Sequence, residues 1–255
     1  MDLKQYIEQS NYAYDFKNES PNDAVKQEQN ALKKFLKYKL DSESFDCDSS
    51  ELAKALYQQF WGVSEEELAT YDSDTMNSFY RIYRLLILAY DREQKYLRWH
   101  ASGVTEYKAR YQWLLDEYKY YIKINEHEAV QKFAALTHSI GNFTLVPKGF
   151  NTKRNQLLHD YWDLTLLYFK EQLGAEAFEQ EVEKYCYESA YLDNGKVLTY
   201  WEGHTIHNKA LPRQYTSAEI IAVIEKMNTA IEIRGKEILE YLQAEIQAEL
   251  TVAMK

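Results

Sequence analysis

The sequence has little of what builds a loop-rich or disulfide-stapled protein. It contains only 8 glycines, 3 prolines and 2 cysteines in 255 residues. So few glycines and prolines are not typical of an all-β protein with many tight turns. Cys47 and Cys186 lie far apart and form no C-x-x-C metal spacing. We therefore expect two reduced thiols in a cytoplasmic protein.

Long apolar runs are also missing. The N-terminal stretch MDLKQYIEQS has no apolar segment like that of a signal peptide, and the run LLILAY is far too short to cross a bilayer. The formal net charge is −10, whereas nucleic-acid and anionic-membrane surfaces need clustered lysine and arginine. The sequence predicts no membrane partner and argues against an extended nucleic-acid surface.

The common sequence signatures of catalysis are absent as well. There is no P-loop, no G-x-S-x-G elbow and no G-x-G-x-x-G fingerprint. His204 and His207 are three residues apart in GHTIHN, but a structural zinc ion needs four regularly spaced ligands. Cys186 lies in the aromatic segment EKYCYES, which is typical of a core residue. We expect no metal and no cofactor.

What the sequence has is helical periodicity. Apolar residues recur at helical spacing over residues 76–90, 107–122 and 220–242. Helix starts are marked by the capping-box spacings Ser64–Glu67 and Thr216–Glu219. The chain is mainly α: we predict one helical domain over residues 1–255, with about eight to ten helices and at most a small β-hairpin, near Asn194-Gly195. Residues 1–19 are expected to form a loosely packed N-terminal arm.

The most polar corner is THSIGNFTLVPKGFNTKRN, residues 137–155. A helix should end near its histidine, a short extended piece should end at Pro147, and a loop should lead to a helix capped by Asp160. Loop side chains held between rigid helices are a common way to build a binding site. The candidate binding residues are His138, Asn142, Asn151, Lys153, Arg154, Asp160 and Asp163.

Arg154 has two interpretations. Lys148, Lys153, Arg154 and His159 give local positive charge to an acidic chain, which suits an anionic ligand bound by the planar guanidinium fork. Alternatively, Arg154 forms an internal salt bridge to Asp160 or Asp163 and braces the corner. We favour the brace slightly.

The corner resembles a family of uncharacterised bacterial proteins. That family carries the motifs H-[ST]-I-G-N-F, F-N-x-x-R and D-x-W-D-L-x-L, which read here as HSIGNF, FNTKR and DYWDLTL. The segments DTMNSF and IEIRGKEIL also resemble it. This resemblance covers the chain from about residue 40 onward and implies no established activity.

A weaker resemblance points to chemistry. HSIGNFTLVPKGFN is similar to the IGNLTLL…N stretch of HNH-type nuclease domains in GmrSD-like restriction enzymes, and IEIRGKEIL is similar to their I-x-x-R-x-x-x-L helix. The resemblance implies a ββα metal site whose base is an upstream histidine closely followed by proline, which this sequence lacks. It carries over Asn142 and Asn151 as structural or ligand positions, with His138 as the candidate base or ligand.

Two hypotheses follow. The first is a helical binding or interaction protein, whose polar pocket at the 138–163 corner takes an anionic small molecule or a protein partner. The second is a divergent HNH-like metal-dependent nuclease with a role in phage defence. The sequence leaves open whether the protein is catalytic and whether it forms an oligomer.

Overall fold

The structure, a computed structural model, describes residues 2–9, 11–207, 211 and 213–253. Fifteen α-helices occur in these residues: α1 (Leu3–Glu8), α2 (Asp23–Lys26), α3 (Ala31–Leu40), α4 (Glu51–Trp61), α5 (Glu65–Leu68), α6 (Phe79–Glu93), α7 (Arg98–Ala101), α8 (Tyr107–Asp116), α9 (Ile122–Asn125), α10 (Glu128–Leu136), α11 (Phe150–Leu158), α12 (Trp162–Leu173), α13 (Ala175–Lys184), α14 (Glu188–Tyr191) and α15 (Ser217–Ala253). Three short 3-10 helices cover Phe16–Glu19, Cys47–Ser49 and Ile140–Asn142.

The mainly α prediction is confirmed, but the expected eight to ten helices are too few. The excess comes largely from one-turn helices such as α2, α5, α7, α9 and α14, each of four residues. Four residues are too short to show a hydrophobic period, so sequence patterns do not reveal them. Across the described residues, we find no helix with both the length and the apolarity needed to cross a bilayer.

The strands form two separate pairs. Strands β3 (Leu192–Asp193) and β4 (Lys196–Val197) make the hairpin predicted around Asn194-Gly195, whose φ angles of 48° and 73° suit a type I′ turn. The second pair was not predicted, so "at most a small β-hairpin" is too little. Strand β1 (Tyr71–Thr75) lies antiparallel to β2 (Phe143–Pro147), with Thr75 opposite Phe143.

The predicted helix starts at Ser64 and Thr216 are confirmed. Both carry reciprocal capping-box hydrogen bonds, with Glu67 and Glu219 as the partner residues. Helix α15, which follows Thr216, packs against α10, α6, α14 and the 3-10 helix Ile140–Asn142. The longest helix therefore lies directly against the corner that the sequence singled out.

Several side chains within residues 2–9 and 11–19, the segment that we expected to be a loosely packed arm, are buried. Tyr6 and Phe16 are fully buried and join the hydrophobic core. Lys17 is also fully buried, and its ammonium donates to the carbonyl of Ala134 at 2.9 Å and pairs with Asp15 at 2.8 Å. Since a buried cation needs such oxygen partners, this segment is anchored to the core.

Two glycines bring α15 into contact with the corner. A Cβ built on Gly141 would lie 2.0 Å from the carbonyl oxygen of Ile231 and 2.9 Å from the nitrogen of Gly235. A Cβ on Gly235 would lie 3.4 Å from the Cα of Gly141. The chain approaches the helix this closely only because neither residue has a side chain.

We predict that Gly141→Ala strongly destabilises the protein. The clashing atoms belong to the main chain of α15, so no rotamer change relieves them, and we expect a loss of about 3 kcal/mol or more. The matched control is Gly103→Ala, where a Cβ meets nothing within 4 Å and only the φ of +62° opposes alanine. That strain costs about 1–2 kcal/mol. Thermal or urea denaturation measures both, and equal losses would contradict the close-contact explanation.

Candidate functional site

The corner has the extended piece that we predicted, but its polar residues are not in a loop. Strand β2 is followed at once by α11, so Asn151, Lys153 and Arg154 are helical. Gly149 makes this possible, because its φ of 78° turns the chain directly from the strand into the helix. The loop prediction for these three residues is therefore wrong.

Asn142 is fully buried and already engaged. Its amide nitrogen donates to the carbonyls of Thr137 at 2.8 Å and Asn77 at 3.2 Å. Its amide oxygen accepts from the main-chain nitrogen of Asn77 at 2.9 Å and from that residue's side chain at 3.3 Å. Since a carboxamide has two donors and two acceptor sites, Asn142 has no capacity left for a ligand.

His138 lies in an aromatic environment in the core. Its ring stacks on Phe35 at 6.0 Å and meets Tyr38 edge-on at 4.8 Å. Burial holds the pKa of this imidazole well below its usual value, and the charges of Lys17 and Lys39 add to the effect. The side chain is 3% exposed, which places it out of reach of a substrate.

Arg154 braces the corner from inside. Its guanidinium is fully buried, pairs with Asp74, and pairs with Asp160 at 3.1 Å. It also donates to the carbonyls of Thr75 at 3.1 Å and Met76 at 2.8 Å. The two carboxylates raise the pKa of Arg154 although burial opposes them. No open guanidinium is left here for the anionic ligand that the sequence suggested.

Asp160 is not the helix cap that we expected, but it is a partner of Arg154, whereas Asp163 is neither. Helix α12 begins at Trp162, and Asp160 lies before it with a φ of 62°, so Asp160 is not the helix cap. It pairs with Arg154, as one interpretation predicted. Asp163 does not; it is buried, accepts from the main-chain nitrogen of Tyr200 at 3.3 Å and lies 3.3 Å from His204 Nδ1.

A second buried arginine, Arg234 of α15, was not among the predicted site residues. It donates to the carbonyls of Tyr185 at 2.7 Å, Gly141 at 2.9 Å and Phe143 at 2.7 Å. One signal was present in the sequence: Arg234 follows Ile231 by three residues and precedes Ile238 by four, which places a cation on the apolar stripe. A charge on such a stripe indicates a buried group that needs oxygen partners.

Lys153 and Asn151 lie outside this buried network. Lys153 is exposed. Asn151 is half-buried, and its amide nitrogen donates to the carbonyl of Ser73 at 3.4 Å. Its amide oxygen is buried and has no hydrogen-bond partner among the described residues.

Asn151 lines a cleft of about 450 Å³, which we call the acidic cleft. The strand pair and α11 form one wall, through Tyr71, Asp72 and Ser73 of β1, Leu145 of β2 and Asn151 of α11. The other wall is formed by residues around the 3-10 helix Cys47–Ser49 and α4, among them Asp46, Asp48 and Tyr57. No local sequence pattern places these aspartates beside the corner.

Asp48 is the most perturbed carboxyl of the acidic cleft. Burial raises its pKa well above the ordinary value, and the neighbouring carboxylates of Asp46 and Asp74 raise it further. One of its oxygens, Oδ1, is buried and has no hydrogen-bond partner in the described part of the chain. Lys54, the cation that lines the cleft, pairs with Glu51 at 2.9 Å. The cleft thus combines carboxylates with acceptor oxygens that lack donors.

The nuclease hypothesis needs a ββα hairpin and helix around residues 138–160, but of the three elements only β2 and α11 lie there. Strand β1 is separated from β2 by five helices, α6 to α10. The antiparallel strands come from distant parts of the chain, and α11 packs against both. Within residues 2–9, 11–207, 211 and 213–253, no group of three His, Cys, Asp or Glu side chains could hold a metal ion. His204 lies beside Asp163, and His207 is exposed.

Comparisons with known proteins add nothing to this geometry. No protein-family model matches the chain, and searches of curated proteins and of solved structures returned no significant match.

We predict that Arg154→Met lowers stability rather than only ligand binding. It leaves Asp74 and Asp160 without their cation in a largely buried site, which costs about 3–5 kcal/mol. Thermal denaturation measures the loss, and Lys153→Met on the exposed face of the same helix is the matched control. The double variant Arg154→Met/Asp74→Asn should recover part of the lost stability, because it also removes one of the unpaired carboxylates. If Arg154→Met keeps the wild-type melting temperature, Arg154 is no brace.

The loss of stability in Arg154→Met should depend on pH in a defined direction. Burial already raises the pKa of Asp74 although Arg154 opposes the rise, and losing Arg154 raises it further. A carboxyl with a raised folded-state pKa stabilises the protein at low pH, and the stability falls as pH rises through that pKa. The gap between wild type and Arg154→Met should therefore widen from pH 5 to pH 8.

Proposed function

We propose that the protein is a binding protein whose ligand enters the acidic cleft at the 138–163 corner. The observation that carries this proposal is the pair of buried acceptors, Asp48 Oδ1 and Asn151 Oδ1, that line the same cleft without hydrogen-bond donors of their own. A buried polar atom without a partner costs about 1–3 kcal/mol, and a ligand carrying N–H groups would remove that cost.

The ligand class follows from the charge of the walls. Asp46, Asp48 and Asp72 favour a cation. Tyr57 and Tyr71 add aromatic rings, whose faces attract ammonium and guanidinium groups. The donor set does not fit a metal ion, so we infer a small organic cation or a basic side chain of a protein partner. Cytoplasmic localisation belongs to the same proposal and rests on the two free cysteines.

Agmatine and spermidine are suitable probes, with tetramethylammonium as a cation without N–H donors. Isothermal titration calorimetry should show that wild type binds the first two more tightly than the third. Asp48→Asn should weaken agmatine binding about tenfold, as expected when one charge-assisted hydrogen bond is lost. Glu66→Gln is the matched control, because Glu66 is exposed outside the cleft and its loss changes net charge equally. Failure of both amines to bind wild type would overturn the proposal.

Binding of the amine should strengthen as pH rises. The pKa of Asp48 is raised in the free protein, so below that pKa an incoming cation must first displace a proton. Agmatine affinity should therefore increase with pH until Asp48 is ionised in the free protein. Proton release on binding, measured by calorimetry in buffers of different ionisation enthalpy, checks the same step.

A divergent HNH-like nuclease is the second candidate, because β1, β2 and α11 line the acidic cleft together, although β1 and β2 do not form the local hairpin that its resemblance implies. Its residues do not fit well: the described chain offers no three-ligand metal group, and His138 lies buried away from the cleft. A role in phage defence would rest on this activity alone.

We expect no cleavage of plasmid DNA or RNA with Mg²⁺, Mn²⁺ or Zn²⁺, which would remove the nuclease hypothesis. A raised carboxyl pKa also suits a general acid, so the pKa of Asp48 does not separate the two functions, and the cleavage assay does. Cleavage that disappears in Asp48→Asn and persists in Glu66→Gln would replace binding by catalysis.

A further inference from the structure

A second cavity, of about 330 Å³, has the opposite chemistry. One face of α6 forms its floor through Arg81, Arg84, Leu85 and Leu88, which follow the i, i+3, i+4, i+7 spacing of a single helical face. His159, Tyr161 and Leu211 line the rest. We call it the arginine cavity. It shares no lining residue with the acidic cleft.

Arg81 and Arg84 differ from the arginines that pair with carboxylates. The arginine ion pairs among the described residues join Arg98, Arg154 and Arg213 to carboxylates, so Arg81 and Arg84 have no such partner there. The buried Arg234 has three close carbonyl oxygens instead.

The contacts of Arg81 and Arg84 are aromatic rings and a phenol. The guanidinium of Arg81 lies 5.4 Å from the ring centroid of Tyr161, and that of Arg84 lies 6.0 Å from the ring of Trp99. Arg81 also interacts with the phenol oxygen of Tyr161. Its Nε is buried and has no hydrogen-bond partner in the described chain. A half-buried cation with an unused donor favours an oxyanion as its missing partner.

We propose that the arginine cavity binds a small organic anion, with a carboxylate or phosphate head on Arg81 and Arg84 and an apolar body on the leucines. Guanidinium forks match both heads in geometry. Leu85, Leu88 and Leu211 offer apolar surface for the body. The volume lies at the lower end of the range for small-molecule sites, so the body is about the size of one ring.

The anionic ligand that the sequence suggested for the corner would, under this proposal, bind Arg81 and Arg84 in the arginine cavity. Four cationic residues of the corner suggested an anionic ligand. Of these, Arg154 is buried and paired with Asp74, and Lys148 donates to the carbonyl of Ala69 at 3.0 Å. Only His159 lines the arginine cavity. The positive charge of the cavity comes from Arg81 and Arg84 of α6, which lie at least seventy residues before Arg154 in the chain. The proposal is independent of ligand binding in the acidic cleft.

Calorimetry with phenyl phosphate, benzoate, inorganic phosphate and benzyl alcohol tests the proposal. We expect phenyl phosphate and benzoate to bind, inorganic phosphate to bind more weakly because it lacks the apolar body, and benzyl alcohol not to bind. Arg81→Met and Arg84→Met should each weaken phenyl phosphate about tenfold or more, whereas Arg110→Met on α8 should not. Since neither cavity variant breaks an ion pair, both should keep nearly the wild-type melting temperature.

Hydrogen exchange on the wild-type protein gives a readout that needs no variant. Phenyl phosphate should protect residues 81–88 and the segment around Tyr161. Protection confined to other segments, absence of binding by phenyl phosphate and benzoate, or equal binding by wild type and Arg81→Met/Arg84→Met would each overturn the proposal.

Discussion

The fold of the corner depends on the buried guanidinium of Arg234. It reaches from α15 to the carbonyls of Gly141 and Phe143, and to Tyr185 after α13, so one side chain joins three parts of the chain. Its acceptors are carbonyl oxygens, and its plane faces the ring of Tyr187 at 5.3 Å. Without these partners a cation in this position would be too costly to bury. The contact between Gly141 and Gly235 brings α15 close enough for them to form.

Arg154 completes the arrangement from the other strand. It donates to the carbonyl of Thr75, and Arg234 donates to the carbonyl of Phe143, the residue opposite Thr75 in the ladder. The two guanidinium groups therefore hold both strands at the same end of the pair. This explains how Tyr-Asp-Ser-Asp-Thr, a segment rich in residues that strands disfavour, forms a strand at all. Its conformation is set by tertiary partners, and local propensity has little part in it.

The sequence reveals what is local and misses what is distant. Helical stripes, capping boxes, the Asn194-Gly195 hairpin and the extended piece before Pro147 each depend on a few neighbouring residues, and the structure has all four. The stripes predicted over residues 76–90 and 107–122 are helical only in part, because α6 begins at Phe79 and α8 ends at Asp116. Strand β1, with the Arg154 partners Asp74 and Thr75, lies more than seventy residues before α11, so no local pattern pairs them. For the same reason the sequence selected Arg154 and Asn151 as site candidates but did not bring Asp46, Asp48 or Asp72 beside them. The amino-acid composition of the corner does not distinguish a buried arginine that pairs with carboxylates, such as Arg154, from an arginine that is accessible to a ligand.

The distribution of charge is the basis on which we propose ligand recognition at this site. His138 and His204 are each only 3% exposed, so a ligand does not reach these two imidazole rings. The fully buried arginines are bonded to oxygen atoms of the protein itself. What remains accessible is an acidic cleft on one side and an arginine-floored cavity on the other. A charged ligand gains most where the fold has left the opposite charge without an ion-pair partner. Among the described residues both cavities contain such charges, with opposite signs.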